Sequence, residues 1–290
     1  MANSFRVQLM ILKISELLDK GVSHSMKHSQ RGFSLLEVMI ALLIFIVLMF
    51  VTVNVVKNQR EYDHLLENQH YMAQVKEAFM TFVKVNRFLP CPDTDGDGKE
   101  NREGAPNFEC TLYKGTVPFL DLGVAATDAW QQPLLYVVNE KTDANGVLEI
   151  ADPVESASYF NSQSAPVFNF NTLPIGELGD GGTFRICDEL TTTAMGCSTA
   201  TPDVRYLEEN AIAVVVSFGE NGSATWNAIN TGVTGASIGL DEAEAENMDG
   251  DQDFWQAISS QRAGQKFDDR LFWLLGSDVK YAVISSGGTL

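Results

Sequence analysis

Two stretches of the sequence place aspartates at every second position, a spacing that brings oxygen ligands together around a cation. In the first stretch, Asp93, Asp95 and Asp97 are followed by a glycine, as in the first half of an EF-hand calcium loop. The bidentate glutamate of such a loop is missing, because its twelfth position is Gly104. Glu100 or Glu103 is a candidate substitute ligand, in a different geometry. The stretch predicts a Ca²⁺ site, with a solvated turn as the alternative.

The second stretch contains Asp249, Asp251 and Asp253, again at alternate positions. It predicts a further cation site, and an exposed acidic loop is the alternative. In the first stretch, the mutual repulsion among three carboxylates is a cost that a bound cation removes.

The four cysteines form two pairs that are close in sequence. Their even number and the short loops between them predict the disulfides Cys91–Cys110 and Cys187–Cys197, formed in an oxidising compartment. Four free thiols are the alternative. A zinc site is disfavoured, because the sequence contains no Cys-x-x-Cys pair.

Histidines occur only at positions 24, 28, 64 and 70. The rest of the chain therefore lacks the usual general base, which excludes Ser-His-Asp and Cys-His chemistry there. The net charge of −18 disfavours nucleic acid as a partner. We expect a protein that is not an enzyme, with paired carboxylates as the remaining catalytic alternative.

The element with the clearest pattern is the apolar run from Phe33 to Val53, in which Glu37 is the one charged residue. At about 1.5 Å per residue, a helix of this length spans roughly 30 Å, the hydrocarbon core of a bilayer. Lys27 and Arg31 precede the run and favour a cytoplasmic N-terminus. A buried core helix and a signal peptide are the alternatives, but no small-x-small cleavage site follows the run.

Glu37 needs an explanation, because a carboxylate in a spanning helix costs about 2.5–3.5 kcal/mol at mid-bilayer, and less near the interface. Such residues are functional by default. A free α-amine at Phe33 of a neighbouring chain would pair well with Glu37. This pairing requires cleavage of the bond between Gly32 and Phe33.

The heptapeptide Arg-Gly-Phe-Ser-Leu-Leu-Glu at residues 31–37, followed by the apolar run, resembles the processing signature of type IV pilins and type II secretion pseudopilins. The resemblance implies that a prepilin peptidase, also the methylase, cleaves between Gly32 and Phe33 and methylates the amine of Phe33. It implies that Glu37 steers assembly with other subunits through the N-terminal helix, on an inner-membrane assembly platform. The leader is long for this family, and Met26 is a candidate for the true start.

Beyond the apolar run, residues 57–88 have an amphipathic pattern that predicts one continuous helix from Phe33 to about Asn86. The apolar stripe of its second half consists of Tyr62, Leu65, Met72, Val75, Phe79, Phe82 and Val83. Packing on a head domain is favoured for this stripe over a coiled-coil partner. The predicted organisation is a leader (1–32), a transmembrane and filament-core helix (33–56), an amphipathic stem helix (57–88) and a periplasmic or extracellular head (89–290).

The head has a strand-like pattern, which predicts an α+β fold with a mostly antiparallel sheet packed on the stem helix and with disulfide-stapled loops. The predicted strands are Leu134–Val138, Ala211–Phe218, Leu271–Leu275 and Tyr281–Ser285. Asn221-Gly222 predicts a hairpin turn.

The size of the head favours a minor subunit, because lateral space along a filament shaft is limited. We therefore expect a minor pilin or pseudopilin, inserted in the bacterial inner membrane with its head in the periplasm and later part of a pilus or a secretion pseudopilus. The alternatives are a pilus-tip adhesin and a plain single-span protein.

Overall fold

The structure, a computed structural model, describes residues 34–104, 108–139, 159–161, 163, 168–172, 184–189, 204–240, 242–258, 260–262 and 265–289. Three predicted features lie outside the described residues: the leader, which ends at Gly32, the methylation site Phe33, and Cys197.

A single helix of 52 residues, α1 (Leu35–Asn86), confirms the predicted long N-terminal helix. The uninterrupted run of residues without glycine or proline explains its length. After it, Arg87 adopts a left-handed backbone conformation with φ of 72°. The chain divides within α1 into two units, Met1–Lys57 and Asn58–Leu290.

In the first unit, every described side chain of α1 up to Val53 is exposed. The helix is long and apolar enough to cross a membrane. An exposed apolar surface of this extent is unfavourable in water, and contact with lipid or with another apolar surface would stabilise it.

In the second unit, α1 packs on the head through Met72, Val75, Phe79 and Val83, which are all buried. Their spacing of three and four residues places them on one face of the helix. Leu65 and Phe82 of the predicted stripe are half-buried. The prediction was wrong for Tyr62, which is 62% exposed.

Six strands of the described residues form one mixed sheet in the order β1-β2-β4-β3-β5, with β8 also pairing with β4. All of these pairings are antiparallel except the parallel pairing of β3 with β5. The strands are β1 (Lys114–Thr116), β2 (Leu135–Val138), β3 (Phe184–Glu189), β4 (Val204–Ser217), β5 (Asp253–Trp255) and β8 (Arg270–Leu275). The short strands β6 (Ser260–Arg262) and β7 (Gln265–Phe267) form a separate antiparallel pair.

The remaining elements are helices and 3₁₀ turns that surround the sheet. The helices are α2 (Phe119–Leu122), α3 (Gly222–Thr231), α4 (Glu242–Asp249) and α5 (Gly276–Ser285), and the 3₁₀ turns are Tyr159–Asn161, Gly219–Asn221 and Gly235–Ile238.

The central strands are buried on both faces. Tyr136 and Val215 belong to a core cluster with residues of α1 and α5. Leu135 and Val214 belong to a second cluster with residues of α3 and α4. Successive side chains of a strand point to opposite faces, so a sheet covered on both faces needs the continuous apolar run found in β4. The structure thus has the predicted α+β fold, with a helix packed on the sheet.

Two local predictions were wrong. The segment Tyr281–Ser285 is the end of helix α5 and not a strand. Asp278 accepts a hydrogen bond of 3.1 Å from the Leu275 N–H, which caps the helix and outweighs the β-branched composition of its last turn. The Asn221-Gly222 hairpin is also absent, because Gly222 has right-handed helical angles (φ −51°, ψ −35°) and begins α3.

Candidate functional site

The first residues of α1 are arranged as a capped helix start. The hydroxyl oxygen of Ser34 accepts a hydrogen bond of 3.2 Å from the Glu37 N–H, and the Ser34 carbonyl accepts one of 3.2 Å from the Val38 N–H. Glu37 therefore lies in the first turn, where the positive end of the helix dipole favours a carboxylate. Its side chain is exposed, at the start of the apolar surface.

The first acidic stretch does bring its three aspartates together. Asp93, Asp95 and Asp97 each offer an oxygen atom, and these atoms lie within 4.8 Å of one another. Asp93 is buried, and its carboxylate accepts hydrogen bonds from the N–H groups of Gly96 (2.7 Å) and Gly98 (2.8 Å). These bonds hold the loop around Asp93, while the other two aspartates are exposed.

Glu100 does not join this group. Its Oε2 lies 2.8 Å from Nη2 of Arg102 and accepts a hydrogen bond of 2.9 Å from the Cys91 N–H. Arg102 also donates hydrogen bonds to the carbonyls of Phe108 (2.9 Å) and Asn161 (2.7 Å). The Glu100 carboxylate is therefore engaged in holding the loop against the head.

A disulfide joins Cys91 to Cys110, with 5.3 Å between their Cα atoms, and it encloses the first acidic stretch. Cys187 is buried on β3. Its predicted partner Cys197 lies outside the described residues, so the pairing of Cys187 with Cys197 stays a prediction.

The second acidic stretch is arranged differently from its prediction. The oxygen atoms that lie within 4.8 Å of one another belong to Glu246, Asp251 and Asp253, and Asp249 is not in this group. Both oxygens of Asp253 are paired with the guanidinium of Arg185, at 2.6 and 2.7 Å. This bidentate ion pair already neutralises one of the three carboxylates.

A third acidic group was not predicted from the sequence. Glu244, Asp268 and Asp269 are all buried, and their ligand oxygens lie within 4.8 Å of one another. Burial, and then the charge of Asp268, raises the pKa of Glu244 to about 7. Burial likewise raises the pKa of Asp269 well above its ordinary value. The adjacent pair Asp268-Asp269 directly after Phe267 was a signal in the sequence, but its partner is 24 positions away.

The acidic groups of the head can therefore bind a metal ion, and the N-terminal helix can enter a membrane. Residues 27–53 match the family model described as the prokaryotic N-terminal methylation motif. This motif is the signature of type IV pilins and pseudopilins, and together with the apolar helix it fits a membrane-anchored structural subunit. The chain thus carries the N-terminal signature of type IV pilins and pseudopilins in residues 27–53. A search of curated proteins and a search of solved structures found no significant match to the chain.

Proposed function

We propose that the protein is a minor pilin or pseudopilin, a structural subunit of a type IV pilus or of a type II secretion pseudopilus, and that it is not an enzyme. The main support for this proposal is the position of Glu37. It lies in the capped first turn of an exposed apolar helix and within the methylation motif. The absence of histidine after residue 70 supports a role without acid–base catalysis.

The proposed pathway begins with insertion into the inner membrane, with the N-terminus in the cytoplasm and the head, residues 89–290, in the periplasm. Prepilin peptidase removes residues 1–32 and methylates the amine of Phe33. The helix of residues 33–56 then leaves the lipid for the helices of other subunits on the assembly platform, while the stem of residues 57–88 stays with the head. The exposed apolar side chains of α1 supply the surface for this exchange.

In this pathway, Glu37 sets the axial position of the subunit. A carboxylate among apolar helices is stable only if a positive group compensates it. The α-amine of Phe33 in a neighbouring subunit supplies that charge once the bond to Gly32 is cut. Only one axial register brings the two groups together, which selects the correct arrangement of helices.

We assign the subunit to a minor role because about two hundred residues of head are too bulky to repeat along a closely packed shaft. We also propose that the loop of Asp93, Asp95 and Asp97 binds Ca²⁺. The proximity of the three carboxylates and the left-handed Gly98, with φ of 86°, support this proposal.

The substitution Glu37→Gln tests the proposed function in cells that assemble the filament. We expect processing to be unchanged and incorporation to fall about tenfold or more, since tenfold corresponds to a loss of only about 1.4 kcal/mol. Glu67→Gln is the matched control, because Glu67 is an exposed glutamate in the second unit of the same helix. Incorporation of the Glu37→Gln protein at the control level would refute the register role.

A cleft in the head favours a second candidate function, that of a pilus-tip adhesin. The cleft has a volume of 670 Å³ and is lined by Leu112, Pro133, Trp226 and Ile229 among others. Leu112 is 56% exposed, so Leu112→Asp would change the cleft with little effect on the core. Loss of attachment to surfaces by this variant, with normal filament assembly, would support the adhesin; unchanged attachment would count against it.

A further inference from the structure

The acidic group of Glu244, Asp268 and Asp269 brings three carboxyl groups together in the interior of the head. The three residues are 1%, 1% and 2% exposed. Lys266 lies 3.6 Å from Asp268, but its ammonium also lies 3.2 Å from Glu220 at the surface. Three carboxylates held this closely away from water repel one another strongly. Burial first, and then the charge of a neighbouring carboxylate, raises the pKa of Glu244 and of Asp269.

The hydrogen bonds of the group leave specific oxygen atoms without a donor. Glu244 accepts bonds from the Asp268 N–H (3.2 Å) and the Asn221 side-chain amide (2.6 Å). Asp269 accepts one of 2.9 Å from the Asn247 amide. Within the described part of the chain, the Oδ1 atoms of Asp268, Asp269 and Asn221 are buried and accept no hydrogen bond. Buried oxygen atoms without any partner are rare in folded proteins, so the two such carboxylate oxygens in this group, on Asp268 and Asp269, indicate a missing positive partner.

The surrounding segments hold the group in place. Gly219 has a left-handed conformation, with φ of 59°, and a Cβ there would lie 2.6 Å from Cγ and Oδ1 of Asp268. This close approach places the turn Gly219–Asn221 against the carboxylate. The amide nitrogen of Asn247 donates to Asp269 at 2.9 Å and to the Trp255 carbonyl at 3.1 Å, and its oxygen accepts a bond of 2.7 Å from the Trp255 N–H. These bonds anchor Asp269 to β5. The oxygens are thus preorganised by three separate segments.

We propose that Glu244, Asp268 and Asp269 form a structural Ca²⁺ site in the head. All of these ligands are oxygen atoms, which hard divalent cations prefer over softer metals. Mg²⁺ usually keeps several water molecules, whereas Ca²⁺ accepts a site made of protein oxygens. The burial of the three carboxylates therefore selects Ca²⁺. This site is separate from the Asp93 loop and does not depend on the proposed function.

The test compares Ca²⁺ binding by the full-length chain in detergent with binding by the double variant Asp268→Asn/Asp269→Asn, after removal of metal with a chelator. We expect the wild-type chain to bind one more tightly held Ca²⁺ per molecule than the variant, counted by calorimetry and metal analysis. A variant of the first loop, Asp95→Asn/Asp97→Asn, is the control and retains this ion. Glu244→Gln is a second variant for the same site and also loses the ion.

Thermal unfolding is a second, independent measurement, and it also shows whether a variant fails to fold. In chelator, the double variant should unfold at a temperature equal to or above that of the wild type, because the substitution removes the repulsion. In Ca²⁺ the order should reverse. A proton shared between Glu244 and Asp268 is the competing explanation. It predicts the same number of bound ions for the wild type and both site variants, and no reversal in Ca²⁺; that result would overturn the proposal.

Discussion

The side-chain amide of Asn68 on α1 donates a hydrogen bond of 3.0 Å to the hydroxyl of Ser217, at the end of β4. Ser217 in turn donates one of 2.6 Å to the carboxylate of Asp128. All three residues are buried. The second half of α1 is thus joined to the head by a buried polar chain as well as by its apolar stripe, which fixes the axial position of the helix on the sheet.

Replacement of Ser217 tests this polar chain. Ser217→Ala leaves the Asp128 carboxylate without one donor and the Asn68 amide without its acceptor. We expect the free energy of unfolding to fall by about 1–3 kcal/mol, the usual cost of unpaired buried polar groups. Denaturant unfolding measures the change, and Ser223→Ala, at an exposed position on α3, is the control. Equal stability of the two variants would contradict the importance of the chain.

Phe79 tests the apolar contact between α1 and the sheet. Its ring is fully buried, with its centroid 4.8 Å from that of Tyr136 and 6.2 Å from that of Phe272. Phe79→Ala should lower the free energy of unfolding by about 3–5 kcal/mol, because it leaves a cavity in the core. Val85→Ala, on the same helix but 74% exposed, should have little effect. A small loss for Phe79→Ala would mean that the helix does not pack on the sheet in this way.

The first acidic loop gives a separate calcium prediction. Asp97→Asn removes one of its three carboxylates, so the part of the Ca²⁺-induced rise in melting temperature that depends on this loop should disappear. A site filled at a hundred times its Kd stabilises the fold by about 2.7 kcal/mol, an effect that thermal unfolding detects. Asp63→Asn, at an exposed position on α1, is the control. An equal Ca²⁺-induced rise in the melting temperature of both variants would contradict Ca²⁺ binding by the loop.

Much of the fold could be predicted because its signals are local. The unbroken run of residues 33–86 specified α1, and the apolar runs around Tyr136, Val214 and Phe272 specified β2, β4 and β8. The prediction failed for α5, whose last turn has the composition of a strand. There the cap at Asp278 and the burial of Val279, Ala282 and Val283 at helical spacing determine the structure.

The functional sites likewise differ in whether their residues are close together in the sequence. The residues proposed for processing and assembly are adjacent in the sequence, so a short motif reveals them. The group of Glu244, Asp268 and Asp269 exists only because folding brings α4 beside the connection between β7 and β8. The prediction for the second acidic stretch included Asp249 and missed Glu246, because alternation along the chain does not show which side chains meet Arg185 or each other.

The most direct test of the central claim is the N-terminus of the mature protein, determined by intact mass and N-terminal sequencing of the chain purified from the membrane. We expect a chain that begins at Phe33 and carries one methyl group on its amine. A chain that still contains the bond between Gly32 and Phe33 would contradict the claim.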